Sequence, residues 1–201
     1  MIYSAMKLLL HACCADCILK FIDSINQENL EIDEVIAFFY NPNIHPRSEY
    51  LSRLKAIQKV TEENKIKLIV PDWSPKEWFK LQNPFKQNPP VSTFVETSSL
   101  KKGGSPQNKT RCEKCWQLRL KKSFEYAKEN NFELVSSTLI TSHYQNQKTI
   151  KEIAKNLEEK YKIKFLVPKK VSRDLKTSGF YKQNYCGCAY SLVVVWEDKF
   201  N

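Results

Sequence analysis

The chain has 201 residues and a net charge of +10, from 32 Lys and Arg against 22 Asp and Glu. A hydrophobic fraction of 42% is enough for a buried core, and the length fits a single domain over residues 1–201. With only 4 glycines, glycine-rich phosphate loops are nearly excluded. The 7 cysteines, an odd number, argue against a fully paired secreted scaffold. The apolar run before Cys13 is only Leu8 to Leu10, short of the roughly 7–15 residues of a signal core. No stretch approaches transmembrane length. The expectation is a cytoplasmic protein without a membrane segment, its thiols reduced. The basic excess suggests a polyanionic partner.

In chain order, Lys7 to His11 reads as a short buried strand. Asp16 to Asn26 follows as a helix with Ile18, Phe21, Ile22 and Ile25 on one face. The apolar run Val35 to Tyr40 suits a central parallel strand. A loop, Asn41 to Pro46, leads to a helix with Leu51, Leu54, Ile57 and Val60 at helical spacing, and Lys67 to Val70 reads as a third strand. Residues 71–110 break the pattern. They carry Pro71, Pro75, Pro84, Pro89, Pro90, Pro106 and the Gly103–Gly104 pair. Trp73, Trp78, Phe79, Phe85 and Phe94 in the same stretch need something to pack against, so it reads as a lid or binding excursion rather than a linker. A helix then runs from Arg111 to about Asn130, with Trp116, Leu120, Phe124 and Ala127 inward. Leu134 to Ile140 is a fourth strand, Thr149 to Lys160 a helix, and Ile163 to Val167 a fifth strand. The tail from Phe180 to Phe200 is aromatic and ends in an apolar run. This alternation predicts an α/β fold: a Rossmann-like parallel sheet flanked by helices, in one domain with a long proline-rich excursion.

The cysteines fall in three tight groups: Cys13, Cys14 and Cys17; Cys112 and Cys115; Cys186 and Cys188. Clustered thiols bring several soft ligands to one point, as a metal, an iron–sulfur cluster or a redox dithiol requires. The first group sits just beyond the C-terminal end of the first strand, the edge where open α/β sheets bind ligands. There a helix N-terminus favours thiolates, and Asp16 offers a hard oxygen ligand or a cap. His11 can be a ligand, a proton donor or a packed core residue. The second group is a C-x2-C at a helix start, and the third is a C-x-C. A structural zinc site would take four thiolates and leave three over. Its paired knuckles are usually separated by about 12–20 residues, and here they are nearly a chain-half apart. A zinc-stabilised nucleic-acid-binding module and a metal-free thiol–disulfide oxidoreductase stay open beside a redox cofactor.

The run Leu8-Leu9-Leu10-His11-Ala12-Cys13-Cys14-Ala15-Asp16-Cys17 resembles the N-terminal signature of the QueH family of epoxyqueuosine reductases. So do Phe39-Tyr40-Asn41-Pro42-Asn43-Ile44-His45-Pro46 with Glu49-Tyr50 and Arg53. Further matches are Arg111-Cys112 with Cys115 and Arg119-Leu120, then Ser137-Thr138-Leu139-Ile140 and Tyr144-Gln145. Tyr181, Gln183-Asn184-Tyr185-Cys186-Gly187-Cys188 and Tyr190-Ser191 resemble its terminal block. The chain departs where Asp16 and His143 stand in place of prolines. The resemblance implies two-electron deoxygenation of epoxyqueuosine to queuosine at the tRNA wobble position. It implies a 4Fe–4S cluster on Cys13, Cys14, Cys112 and Cys115. Beside it the resemblance implies a second metal, a mononuclear iron, near Cys17 with Asp16 as helper. Cys186 and Cys188 would be a redox-active pair, an external donor would supply electrons, and His11, His45 and Tyr185 are candidate proton donors. Lys101, Lys102, Lys109, Arg111, Lys114, Arg119, Lys121 and Lys122 would form a positive rim for tRNA phosphates.

Overall fold

The structure is a computed structural model. It describes residues 6–82, 106–142, 145–172 and 175–192, with 106–110 described in backbone only. Pro84, Phe85, Pro89, Pro90, Phe94, Lys101, Lys102, Gly103, Gly104, His143, Tyr144 and the Lys109 side chain therefore lie outside the described residues.

Strand β1 (Lys7–His11) buries Leu8, Leu9 and Leu10 completely, as expected of a strand covered on both faces. It is flanked by β2 (Glu34–Phe38) and β4 (Leu134–Ser137), with β3 (Lys67–Ile69) and β5 (Lys164–Phe165) outside them. All pairs are parallel, in the order β3-β2-β1-β4-β5. In β2 and just beyond it, Ile36 and Phe38 join one apolar cluster while Ala37 and Phe39 join another, the period-two signature of a two-faced sheet. Helices α4 (Pro106–Glu129) and α5 (Gln147–Tyr161) fill the first cluster with Trp116, Leu120, Phe124, Ile150 and Leu157. Helix α2 (Arg47–Glu63) fills the second with Tyr50, Ala56, Ile57 and Val60, and α1 (Ala15–Gln27) contributes to both.

Several boundaries differ from the sequence expectation. The inward stripe of α2 is Tyr50, Arg53, Ile57 and Val60, and Leu51, one residue off that stripe, is 48% exposed. Helix α4 begins at Pro106, five residues before the expected start, because a proline suits the first helical position, where its missing N–H costs nothing. Cys112 thus lies in its second turn. Strand β4 stops at Ser137, whose hydroxyl accepts the Leu139 N–H at 3.2 Å and turns Thr138–Thr141 into a 3-10 helix. Part of the proline-rich stretch is regular. Helix α3 (Pro75–Gln82) is pinned by Trp78, which is 1% exposed.

The sheet order reverses between β1 and β4, since the chain builds β2 and β3 on one side of β1 and returns to the other. That reversal makes the C-terminal ends of β1 and β4 the switch point, the usual ligand position of an open α/β sheet.

Candidate functional site

Cys13 and Cys14 follow β1 at this switch point, and Thr138 follows the neighbouring β4. The two are joined there: the Cys13 N–H donates to Thr138 Oγ1 at 3.1 Å, and the Cys13 sulfur is 3.2 Å from the same oxygen. Cys14, rather than Asp16, caps α1. Its sulfur accepts the Cys17 N–H at 3.3 Å. The cap folds Cys17 back one turn. Among the described residues, the group of three or more Cys, His and carboxylate ligand atoms close enough to share an ion is Cys13, Cys14 and Cys17, all within 4.8 Å of one another.

Three thiols this close cannot all ionise. Hydrogen bonds from Cys14 and Cys17, helped by Arg119 and Thr138, hold the Cys13 thiol well below its ordinary range despite burial. Hydrogen bonding to Cys13 pushes Cys14 up, and bonding to Cys13 and Cys14 pushes Cys17 up. The donor set is soft, buried or half-buried, and prepared for a positive charge. It fits a thiophilic metal or an iron–sulfur centre.

Asp16 faces elsewhere. Its carboxylate bonds Lys20 at 2.9 Å, the Thr177 hydroxyl, and Lys182 at 3.6 Å, and so ties the terminal segment to α1. His11 is fully buried, with Nδ1 2.8 Å from Ser137 Oγ and Nε2 3.2 Å from the Tyr40 carbonyl. Burial first, then the Arg119 charge, lowers its pKa to about 3, so at neutral pH it is an uncharged packing and orienting group.

Two buried arginines that the sequence reading left without a central role exert their charge on the thiol groups. Arg119 was expected on the exposed rim. It is instead 4% exposed, because it sits one turn after Cys115 on the inward face of α4. It donates to Asn41 Oδ1 at 2.7 Å, and Asn41 donates to the Ala12 carbonyl at 2.7 Å. Its charge acts on both Cys13 and Cys115. Arg53 pairs with Glu49 at 2.7 Å and donates to the carbonyls of Tyr185 and Cys186 at 3.0 and 3.4 Å. It also acts on Cys186 and interacts with Cys13 and Cys14. The i, i+4 spacings Cys115–Arg119 and Glu49–Arg53 were the available signals for both.

Cys186 and Cys188 have sulfurs 3.4 Å apart. Ser191 Oγ lies 2.9 Å from the Cys186 sulfur. Hydrogen bonding from Cys188, then Ser191 and the Arg53 charge, brings the Cys186 thiol down to about 6, while its partner Cys188 is pushed up by the same bond. Gly187 between them has φ +97°, and a Cβ there would lie 3.0 Å from the Arg53 guanidinium. Burial, then the Cys186 charge, pushes Cys112 up to about 11. Burial likewise raises Cys115, although Arg119 and Trp78 oppose it. Of the other proton-donor candidates, Tyr185 donates to the His45 carbonyl at 2.6 Å, with burial pushing its phenol up to about 12, and burial lowers His45.

A Rossmann-like α/β sheet with three clustered cysteines after its first strand, at the switch point, is the frame of a thiol-based metal or redox protein. Residues 8–193 match the family described as Epoxyqueuosine reductase QueH. Proteins of that name from Thermotoga maritima and Acinetobacter baylyi are each 31% identical to this chain. The first match covers 92% of this chain and 90% of the relative, the second 94% and 82%. A third, from Histophilus somni, is 30% identical over 92% of this chain and 72% of its own. The chain belongs to the epoxyqueuosine reductase QueH family. Its fold also resembles a solved structure described as a predicted subunit of tRNA methyltransferase from Methanocaldococcus jannaschii, with a TM-score of 0.50 at 10% identity over 98% of this chain and 89% of that one. No helix among the described residues is long and apolar enough to cross a membrane.

Proposed function

We propose that this chain removes the epoxide oxygen of epoxyqueuosine at the wobble position of tRNA, leaving queuosine. The observation that supports the reading is that the Arg119 charge bears on both Cys13 and Cys115 while Arg53 bears on Cys13, Cys14 and Cys186. We assign a 4Fe–4S cluster to Cys13, Cys14, Cys112 and Cys115, and a second metal, a mononuclear iron, to the neighbourhood of Cys17. The close packing of Cys13, Cys14 and Cys17 supports a shared metal environment, and the action of Arg119 on both Cys13 and Cys115 supports convergence of the first two groups. When bound, the metals would supply single electrons at low potential and Lewis acidity toward the epoxide oxygen.

The chain's own residues supply the rest. Deoxygenation consumes two electrons and two protons and releases water. Cys186 and Cys188 hold two electrons as a dithiol. When they form a disulfide, the epoxide C–O bonds break, a C=C bond forms, and the oxygen leaves as water. One proton resides on Cys188, the thiol pushed up, and the other enters from solvent beside exposed Cys186. An external donor then delivers two electrons and Cys188 regains its proton, which restores the dithiol. His11 stays neutral and orients Ser137 and the strand ends.

The test is anaerobic turnover of epoxyqueuosine-containing tRNA with a low-potential chemical reductant, with queuosine measured by nucleoside mass spectrometry. Formation of queuosine is expected, together with a broad iron–thiolate absorption. In the Cys188→Ser variant iron and absorption are expected to stay while turnover collapses. Loss of about a quarter or more of the iron would make Cys188 a ligand instead.

A further inference from the structure

Seven side chains outside the thiol groups form one continuous row. The Arg47 guanidinium lies 5.2 Å over the Trp73 ring. Trp73 is 5.9 Å from His45, and His45 is 4.9 Å from Phe79. Phe79 meets Trp78 edge-on at 5.1 Å, Trp78 lies 5.8 Å from Tyr190, and the Arg111 guanidinium sits 4.2 Å over Tyr190. The row runs across the N-terminal end of α2, across α3, and onto α4 and the terminal segment.

The plain account of such a row is a small satellite core holding α3 to the body, and Trp78 serves that purpose. It does not account for the rest. Phe79 is 47% exposed and Tyr190 42% exposed, although both touch the buried indole. The row ends at a guanidinium on each side, and Arg47 is exposed, as are Lys76 and Lys80 on α3. Glu77 of the same helix is exposed too, and its carboxylate accepts the hydrogen bond of the Tyr40 hydroxyl. The indole Nε1 of Trp73 and the imidazole Nε2 of His45 are buried without hydrogen-bond partners. Cationic margins around open ring faces suit a ligand with flat rings and negative charge along one chain.

The row is also adjacent to the thiols. The His45 N–H donates to the Gly187 carbonyl at 2.7 Å, and Tyr185 holds the His45 carbonyl. Trp78 lies close enough to Cys115 to favour its thiolate. A base that reaches the thiols must leave its stack, and its neighbours on the strand then lose a partner. We infer that the Arg47–Trp73–His45–Phe79–Trp78–Tyr190–Arg111 row is a stacking platform for unpaired RNA bases flanking the reacting nucleoside. This rests on the tRNA reading above and adds where the loop lies.

The test uses fluorescence anisotropy with a labelled anticodon stem-loop RNA and with a fully paired duplex of the same composition. The variants are Phe79→Ala, Tyr190→Ala and Phe79→Tyr, all at exposed positions whose folding is checked by thermal melting. Each alanine variant is expected to weaken stem-loop binding about ten-fold, the loss of one stacked base. Duplex binding and the salt slope should stay unchanged, since no phosphate contact is lost, and Phe79→Tyr should retain the affinity. Alanine variants that bind the stem-loop within about two-fold of the unsubstituted protein, or that lose duplex binding equally, overturn the platform. If queuosine formation persists in that case, the function reading survives the loss. If the unsubstituted protein forms no queuosine while the variants still lose loop binding selectively, the platform stands and the function reading falls.

Discussion

The thiols after β1 and the thiols of the terminal C-x-C are held by different kinds of force. Cys13, Cys14 and Cys17 are fixed by the backbone itself: a central strand with three fully buried leucines, a cap on α1, and a hydrogen bond to Thr138 across the switch point. Cys186 and Cys188 sit in a segment without a strand of its own. They are held against α2 and the loop before it mostly by side chains: Arg53 on two carbonyls, Tyr181 on Glu49, Tyr185 on the His45 carbonyl, and Lys59 on the Gly179 carbonyl at 2.7 Å, with one backbone bond from His45 to the Gly187 carbonyl. A metal site needs fixed geometry, and a dithiol that opens and closes a sulfur–sulfur bond needs room to move. The two supports match those two needs.

The strongest way to break this contrast is at Arg53. It is 2% exposed and pairs with Glu49, which is 8% exposed. Arg53→Ala leaves a buried carboxylate with Tyr181 as its remaining partner, and loss of one member of such a pair costs about 3–5 kcal/mol. Thermal melting should fall by about 10 °C. Limited proteolysis should then cut within residues 175–192 before it cuts the sheet, because the terminal segment has lost its two carbonyl anchors. Replacing Glu49 and Arg53 together with apolar residues of similar volume should recover much of the melting temperature but not the anchoring. A single variant that melts within about 1 °C of the unsubstituted protein would mean that the suspension is held elsewhere.

The difference in support also explains what the sequence revealed. The sheet, the stripes of α1 and α4, and the placement of Cys13 and Cys14 were legible because repeated apolar spacing reports burial directly. The family resemblance carried the function. Arg119 was misread because a charge beside lysines looks solvated until the helix phase is fixed by Cys115. The Asp16 carboxylate was ambiguous because, besides Lys20 four residues on, its partners Thr177 and Lys182 are more than 160 residues away, pairings no local pattern contains. The start of α4 was hidden for a related reason: Gln107, Asn108, Lys109 and Thr110 carry no apolar period.

Thiol reactivity sharpens the contrast with a smaller effect. Cys112 and Cys186 are both exposed. Hydrogen bonds bring Cys186 down to about 6, whereas burial of its sulfur and the neighbouring negative charge push Cys112 up to about 11. In reduced, metal-free protein, iodoacetamide should therefore label Cys186 first at pH 7, with a half-maximal rate near the pH where its thiol ionises. Cys112 should follow only in strong alkali. Peptide mass spectrometry across a pH series reads both. Equal labelling of the two at pH 7 would remove the electrostatic distinction.

The smallest expected change comes from one hydroxyl beside the suspended pair, which also contacts the Cys188 sulfur and carbonyl. Ser191 Oγ lies 2.9 Å from the Cys186 sulfur, and its backbone N–H lies 3.4 Å from the Cys188 sulfur. Ser191→Ala removes the hydroxyl and keeps the N–H. A hydrogen bond to a charged group contributes about 1.5 kcal/mol, so the midpoint of Cys186 labelling should rise by about one pH unit. The sign follows from the bond favouring the thiolate: without it the thiol keeps its proton to higher pH. Melting should change little, because the bond lies on the segment's exposed side, and the thiols after β1 should keep their reactivity because no Ser191 contact reaches them. A midpoint that stays fixed would assign the low Cys186 value to Cys188 and Arg53 alone. A midpoint that moves together with the Cys13 reactivity would show that the suspended pair and the fixed group titrate as one unit, and the division of labour between them would fail.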